Sequence, residues 1–116
     1  MLIDVDGKSA YAYTGGKRFD ASLPLVVFIH GAQHDHSVWI LQSRYFAHHG
    51  HAVLAVDLPG HGRSEGPALA SVEAMADWTL ALLAAVGAGS ATGSATIRAA
   101  IVGHSMGSLV ARSRVA

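Results

Sequence analysis

The chain has 116 residues, with eight Lys+Arg against eight Asp+Glu and a formal net charge of zero. That length fits one compact domain, and the balanced charge leaves no footprint for nucleic acid or an acidic membrane surface. Zero cysteines exclude a disulfide framework, a zinc–thiolate site and a cysteine nucleophile, while 51% apolar against 14% charged residues excludes a disordered chain. No apolar run reaches the ~20 residues of a bilayer-spanning helix. Met1 to Asp6 shows no basic stretch leading into an apolar one, so a cytoplasmic setting is expected.

Leu2 to Tyr13 alternates apolar and polar residues around Asp6-Gly7, which predicts antiparallel strands over 2–5 and 9–13. Thr14 to Leu23 reads as a loop. Leu25-Val26-Val27-Phe28-Ile29 is a continuous branched and aromatic run, as in a strand buried on both faces. Ser37 to His49 sets Val38, Trp39, Leu41, Tyr45 and Phe46 roughly on one helical face and stops at Gly50, so its aromatics are expected in the core. Ala52 to Val56 is a second buried-strand run. Ser71 is placed to cap a helix over 72–86 that ends at Gly87. Residues 89–96 repeat Gly-Ser-Ala-Thr and read as a flexible surface loop. Ile97 to Val102 is a third buried strand, and a helix is expected to start near Met106. The alternation predicts an α/β architecture: a mainly parallel sheet, helices on both faces, and ligands at the carboxyl ends of the strands.

Three distinctive stretches follow those three strands. Gly103-His104-Ser105-Met106-Gly107 matches the Gly-x-Ser-x-Gly nucleophile elbow, where a sharp strand-to-helix turn lifts a serine above the sheet. The glycines make room for neighbouring strand and helix, and the helix amino terminus faces the oxygen that turns negative during attack. His30-Gly31-Ala32 can place a backbone amide beside that of Met106 as an oxyanion hole; the structural alternative is a tight turn with a hydrogen-bonded His30. Asp57-Leu58-Pro59-Gly60-His61-Gly62-Arg63-Ser64 reads as a structural loop in which Asp57 accepts loop amides.

These stretches, with Trp39, resemble the amino-terminal part of an α/β-hydrolase-fold serine hydrolase, in the family's order and over nearly the whole chain. The resemblance implies acyl transfer on a small-molecule ester, lactone, thioester or amide, without a cofactor. Ser105 is then the nucleophile, and the Ala32 and Met106 amides are the oxyanion donors. A serine at the elbow disfavours the branches that attack with aspartate. The resemblance further implies an eight-stranded sheet with the nucleophile on the fifth strand, of which about five strands are expected here. Residues 1–116 are thus expected to be the amino-terminal portion of one such domain. The nucleophile strand then forms an apolar edge.

A serine hydroxyl needs a base oriented by a carboxylate, and in this fold the order is Ser, then Asp or Glu, then His. After Ser105 the sequence contains neither acid nor histidine. Of the upstream histidines, His30, His34, His36 and His61 fall on loops at the same end of the sheet, and no spacing fixes any of them on Ser105. The polypeptide is therefore expected to be a truncated or frame-disrupted product, or a cut fragment, inactive alone. Two other readings compete. The eight histidines, with His34-Asp35-His36, raise a metal site, for which the rest of the expected ligand run is missing; none is expected. A hydrolase fold that has become a non-catalytic binding or scaffold protein is the other.

Overall fold

A computed structural model describes residues 1–31, 34–69, 71–87 and 99–103. The expected helix near Met106 and the Gly-Ser-Ala-Thr repeat lie outside them. Strands β1 (Leu2–Val5) and β2 (Lys8–Tyr13) form the amino-terminal hairpin. Asp6 and Gly7 both take positive φ, 52° and 81°, the geometry whose twist suits a two-residue hairpin. The Asp4 carboxylate accepts the Gly7 N–H at 2.8 Å.

Strands β3 (Leu25–Ile29) and β4 (Ala52–Val56) are buried at every position, as continuous apolar runs require when both sheet faces are covered. With β5 (Ala99–Gly103) they complete a mixed five-stranded sheet in the order β1-β2-β4-β3-β5. β3 runs parallel to both β4 and β5, and the two antiparallel pairs are β1 with β2 and β2 with β4. Among the described residues β5 has β3 as its single neighbour, and Val102 on it is exposed.

The chain steps from β3 outward to β4, then back across β3 to β5. Right-handed crossovers in opposite directions must pass over opposite faces, and the two helices do so. Helix α1 (Ile40–Ala47) packs with Val26, Phe28, Val53 and Ala55, while α2 (Val72–Ala85) packs with Leu25, Val27, Ile29, Leu54 and Val56. Alternate residues of the same strands thus fill two cores. Ser71 caps α2 as expected, its Oγ accepting the Ala74 N–H at 3.0 Å.

The helix expected over 37–49 differs in detail. It opens with a 3₁₀ turn over His36–Trp39 and is α-helical over Ile40–Ala47. Val38 and Leu41 are exposed, off the face that Trp39 and Phe46 share: Leu41 lies about 200° around the helix from Trp39. Trp39 packs on Phe28, with ring centroids 5.1 Å apart. Tyr45, expected in the core, is 57% exposed and stacks on His49 at 4.0 Å. The small side chains of Ser43 and Ala47 face inward instead.

Candidate active site

The carboxyl ends of β3 and β4 send their loops to opposite faces of the sheet, the arrangement that opens a crevice at strand ends in α/β folds. A polar cleft of about 490 Å³ lies there, lined by His34, Asp35, Ser37, Val38, Gly60, His61 and Gly62.

His30, the first residue after β3, is fully buried. Its Nδ1–H donates to the Gly31 carbonyl at 2.6 Å, and its Nε2 accepts the Leu58 N–H at 3.0 Å. Both nitrogens are committed, so the ring is a neutral structural tie between the β3 and β4 loops and cannot act as a base. Burial pulls its pKa below the ordinary 6.5, opposed by the bond to Gly31 and reinforced by His61. The unfolded chain therefore binds a proton more readily than the folded one. Stability from this group is complete above about pH 6.5 and is lost as the pH falls through the folded value. In a histidine-ring NMR titration, His30 is expected to stay neutral below the pH at which an ordinary imidazole protonates. Titration at or above the ordinary value contradicts the burial account.

Asp57, the residue after β4, is likewise fully buried. Its Oδ1 accepts the His36 backbone N–H at 2.7 Å and the His36 ring Nδ1–H at 2.9 Å, and its Oδ2 accepts the Arg63 N–H at 2.9 Å. Ser64 Oγ–H donates to the Asp57 carbonyl and accepts from the Tyr11 N–H, stitching the loop to β2. The expected structural role of this loop is what its geometry displays. Gly62, at φ 51°, lies so close that a Cβ there would run into the Asp57 carboxylate.

His36 is the residue whose role sequence reading missed. It stands 21 positions from Asp57, and no local spacing announces the pair. Its ring also packs against Tyr11 at 5.0 Å and Tyr13 at 6.0 Å. Asp35 caps the 3₁₀ turn: its Oδ1 accepts the Ser37 hydroxyl and the Ser37 N–H at 2.8 Å, and these bonds hold its carboxyl below the usual range. Asp35, His36 and Asp57 also bring ligand-type atoms within 4.8 Å of one another. Hydrogen bonds already account for that geometry, because Asp57 is saturated by N–H donors and Asp35 serves its own turn. The His61 Nδ1–H donates to the Pro59 carbonyl at 3.1 Å.

Ala32, Ser105 and Met106 lie outside the described residues. Their approaches are defined: Ile29 of β3 is in register with Gly103 of β5. Adjacent strands stand about 4.8 Å apart, so β3 and β5 end side by side.

Residues 26–116 match the model of the alpha/beta hydrolase family, and the chain belongs to that family. It is 38% identical over 112 residues to the dihydrolipoyllysine-residue acetyltransferase component of the acetoin cleaving system of Cupriavidus necator, covering 96% of this chain and 26% of that protein. The crystal structure of the enol-lactonase from Burkholderia xenovorans is similar at 27% identity and TM-score 0.75, over 95% of this chain and 39% of that one. An epoxide hydrolase from Vigna radiata shares the fold at 23% identity and TM-score 0.76, over 95% of this chain and 32% of that one. The chain thus spans between a quarter and two fifths of these relatives. No described helix is long and apolar enough to cross a membrane.

Proposed function

We propose that the chain carries the nucleophile and oxyanion half of a serine hydrolase acting on a small-molecule ester or lactone in the cytoplasm. Residues 1–116 are, in this reading, the amino-terminal portion of a single hydrolase domain. Ser105 Oγ attacks the substrate carbonyl carbon and passes its proton to a histidine. The carbonyl oxygen becomes an oxyanion held by the Ala32 and Met106 amides. Collapse of the adduct expels the alcohol and leaves an acyl-enzyme, which water then hydrolyses.

The observation that carries the reading is the register Ile29 to Gly103, which starts the His30-Gly31-Ala32 segment and the elbow from neighbouring strand ends. The two ties from the β3 loop to the β4 loop, His30 to Leu58 and His36 to Asp57, support it by anchoring His30 and His36, which flank Ala32 in the sequence. An oxyanion donor is effective through preorganisation. The likeness to an enol-lactonase supports an acyl substrate, and serine at position 105 favours the acyl-transfer branch over epoxide hydrolysis.

The acid and the histidine of the triad come from outside these 116 residues. His30 has no free nitrogen to replace them. The chain alone is expected to hydrolyse p-nitrophenyl esters no faster than its Ser105→Ala variant. A burst followed by steady turnover, abolished by that substitution, overturns the claim that the triad is incomplete. A coding sequence that continues into an Asp…His tail supports it.

A further inference from the structure

Zero net charge hides an uneven distribution of charge along the chain. Between Asp35 and Asp57 there is no acidic residue, and helix α1 with its leading 3₁₀ turn lies within that stretch. Its outer surface carries Val38, Leu41 and Tyr45, all exposed, at spacings of three and four residues. Residues so spaced stand one above another on a single helical face. Contiguous exposed apolar surface of this kind marks a site of contact.

Three cations flank the stripe. Arg44 is exposed on α1, about 60° around the helix from Leu41. Lys17 and Arg18, also exposed, belong to the loop after β2, and that loop is packed on the same helix. Gly15, at φ 80°, lies so close that a Cβ there would strike Ala47 and the Ser43 carbonyl. A Cβ at Gly16 would stand 3.5 Å from the Arg44 guanidinium. The Thr14 hydroxyl donates to the Lys17 carbonyl at 2.7 Å and closes the turn. Asp20, the nearest carboxylate in the sequence, accepts the Ser22 N–H and hydroxyl. Three of the chain's eight Lys and Arg residues are thus gathered beside a helix that has no acid of its own.

We propose that this face docks on an anionic phospholipid surface. Val38, Leu41 and Tyr45 enter the headgroup boundary, and the three cations meet lipid phosphates. A helix with an apolar stripe and flanking Lys and Arg lies in such an interface, held by apolar burial and charge together. Two copies of the face would bring like cations together, so the charge favours an anionic partner over a second copy. Val38 also lines the polar cleft at the strand ends, which puts the rim of that cleft at the lipid. The proposal does not rest on the hydrolase reading.

The test is co-sedimentation of the full chain with vesicles of phosphatidylcholine alone and of phosphatidylcholine with roughly a third phosphatidylserine. The anionic vesicles are expected to bind at least about tenfold more tightly, and salt at about 0.5 M should remove most of that difference. Arg44→Gln should weaken binding about fivefold, and the triple variant Lys17→Gln, Arg18→Gln, Arg44→Gln about a hundredfold. Leu41→Ser should weaken it about tenfold through lost apolar burial. Lys8 stands at the opposite end of β2 from this loop, and Lys8→Gln should change binding less than about twofold. No preference for the anionic vesicles, binding indifferent to Leu41→Ser, or equal losses from Lys8→Gln and Arg44→Gln each overturn the proposal. Displacement by millimolar inorganic phosphate at constant ionic strength shows a free-phosphate site and overturns the lipid assignment. A dimer that Leu41→Ser breaks in sedimentation equilibrium assigns the face to a second copy and overturns it too. The lipid and salt arms use the unaltered chain and decide the matter if a variant fails to fold.

Discussion

Asp57→Ala is expected to cost about 4 kcal/mol of folding stability, the largest effect of any single polar substitution in the described residues. The carboxylate is fully buried and satisfies three N–H donors, from the His36 backbone, the His36 ring and the Arg63 backbone. Truncation leaves those donors without an acceptor, and a part-buried unsatisfied donor costs roughly 1–3 kcal/mol. A domain has only about 5–15 kcal/mol in total, so the urea midpoint should fall steeply or folding should be lost. Asp57→Asn keeps one acceptor oxygen but turns an NH₂ group toward an N–H donor, and should sit between the two. Gly62 supplies an internal check. Its substitution by alanine meets the Asp57 carboxylate in the native chain, and that collision vanishes when Asp57 is already alanine. A double-mutant cycle should therefore show Gly62→Ala costing clearly less in the Asp57→Ala background. Additive costs contradict the contact.

Phe28→Ala is expected to cost about 3–5 kcal/mol. Phe28 is 1% exposed and stands at the centre of the core beneath α1, with Trp39 at 5.1 Å and Phe46 at 6.0 Å. Its loss removes aromatic contacts and leaves a void that β3 cannot close, because that strand is held by β4 on one side and β5 on the other. Leu41→Ala is the contrasting control: Leu41 is 76% exposed, and its substitution should change the stability read from urea unfolding by no more than about 0.5 kcal/mol. Comparable losses at the two positions contradict the assignment of the buried face.

Those two positions also mark where sequence reading worked and where it stopped. Leu25–Ile29 and Ala52–Val56 were legible as doubly buried strands because unbroken apolar runs of that length suit a parallel sheet covered on both faces. The hairpin at Asp6-Gly7 and the cap at Ser71 were legible because each acts within three residues of itself. Tyr45 was misplaced because the helix turns the small Ser43 and Ala47 inward, and a residue two positions from each of them falls about 200° away, on the opposite face. The clasp of His36 on Asp57 joins segments 21 residues apart in the chain. Such contacts depend on sheet order, which hydrophobic pattern alone does not specify. At the candidate site the structural alternative for His30, a hydrogen-bonded ring after β3, was readable by type, whereas its partner Leu58 was not.

The proposal that Ser105 is an acyl nucleophile is open to a direct test once the remainder of a hydrolase domain is supplied. The most direct test grafts residues 1–116 in place of the corresponding part of the Burkholderia xenovorans enol-lactonase, whose remaining chain provides the rest of a hydrolase sheet. A cooperatively folding chimera is predicted to hydrolyse p-nitrophenyl esters with a burst, and Ser105→Ala is predicted to lower the rate by about a thousandfold or more. Hydrolysis that survives Ser105→Ala undiminished, or a folded chimera with no turnover at all, contradicts the assignment.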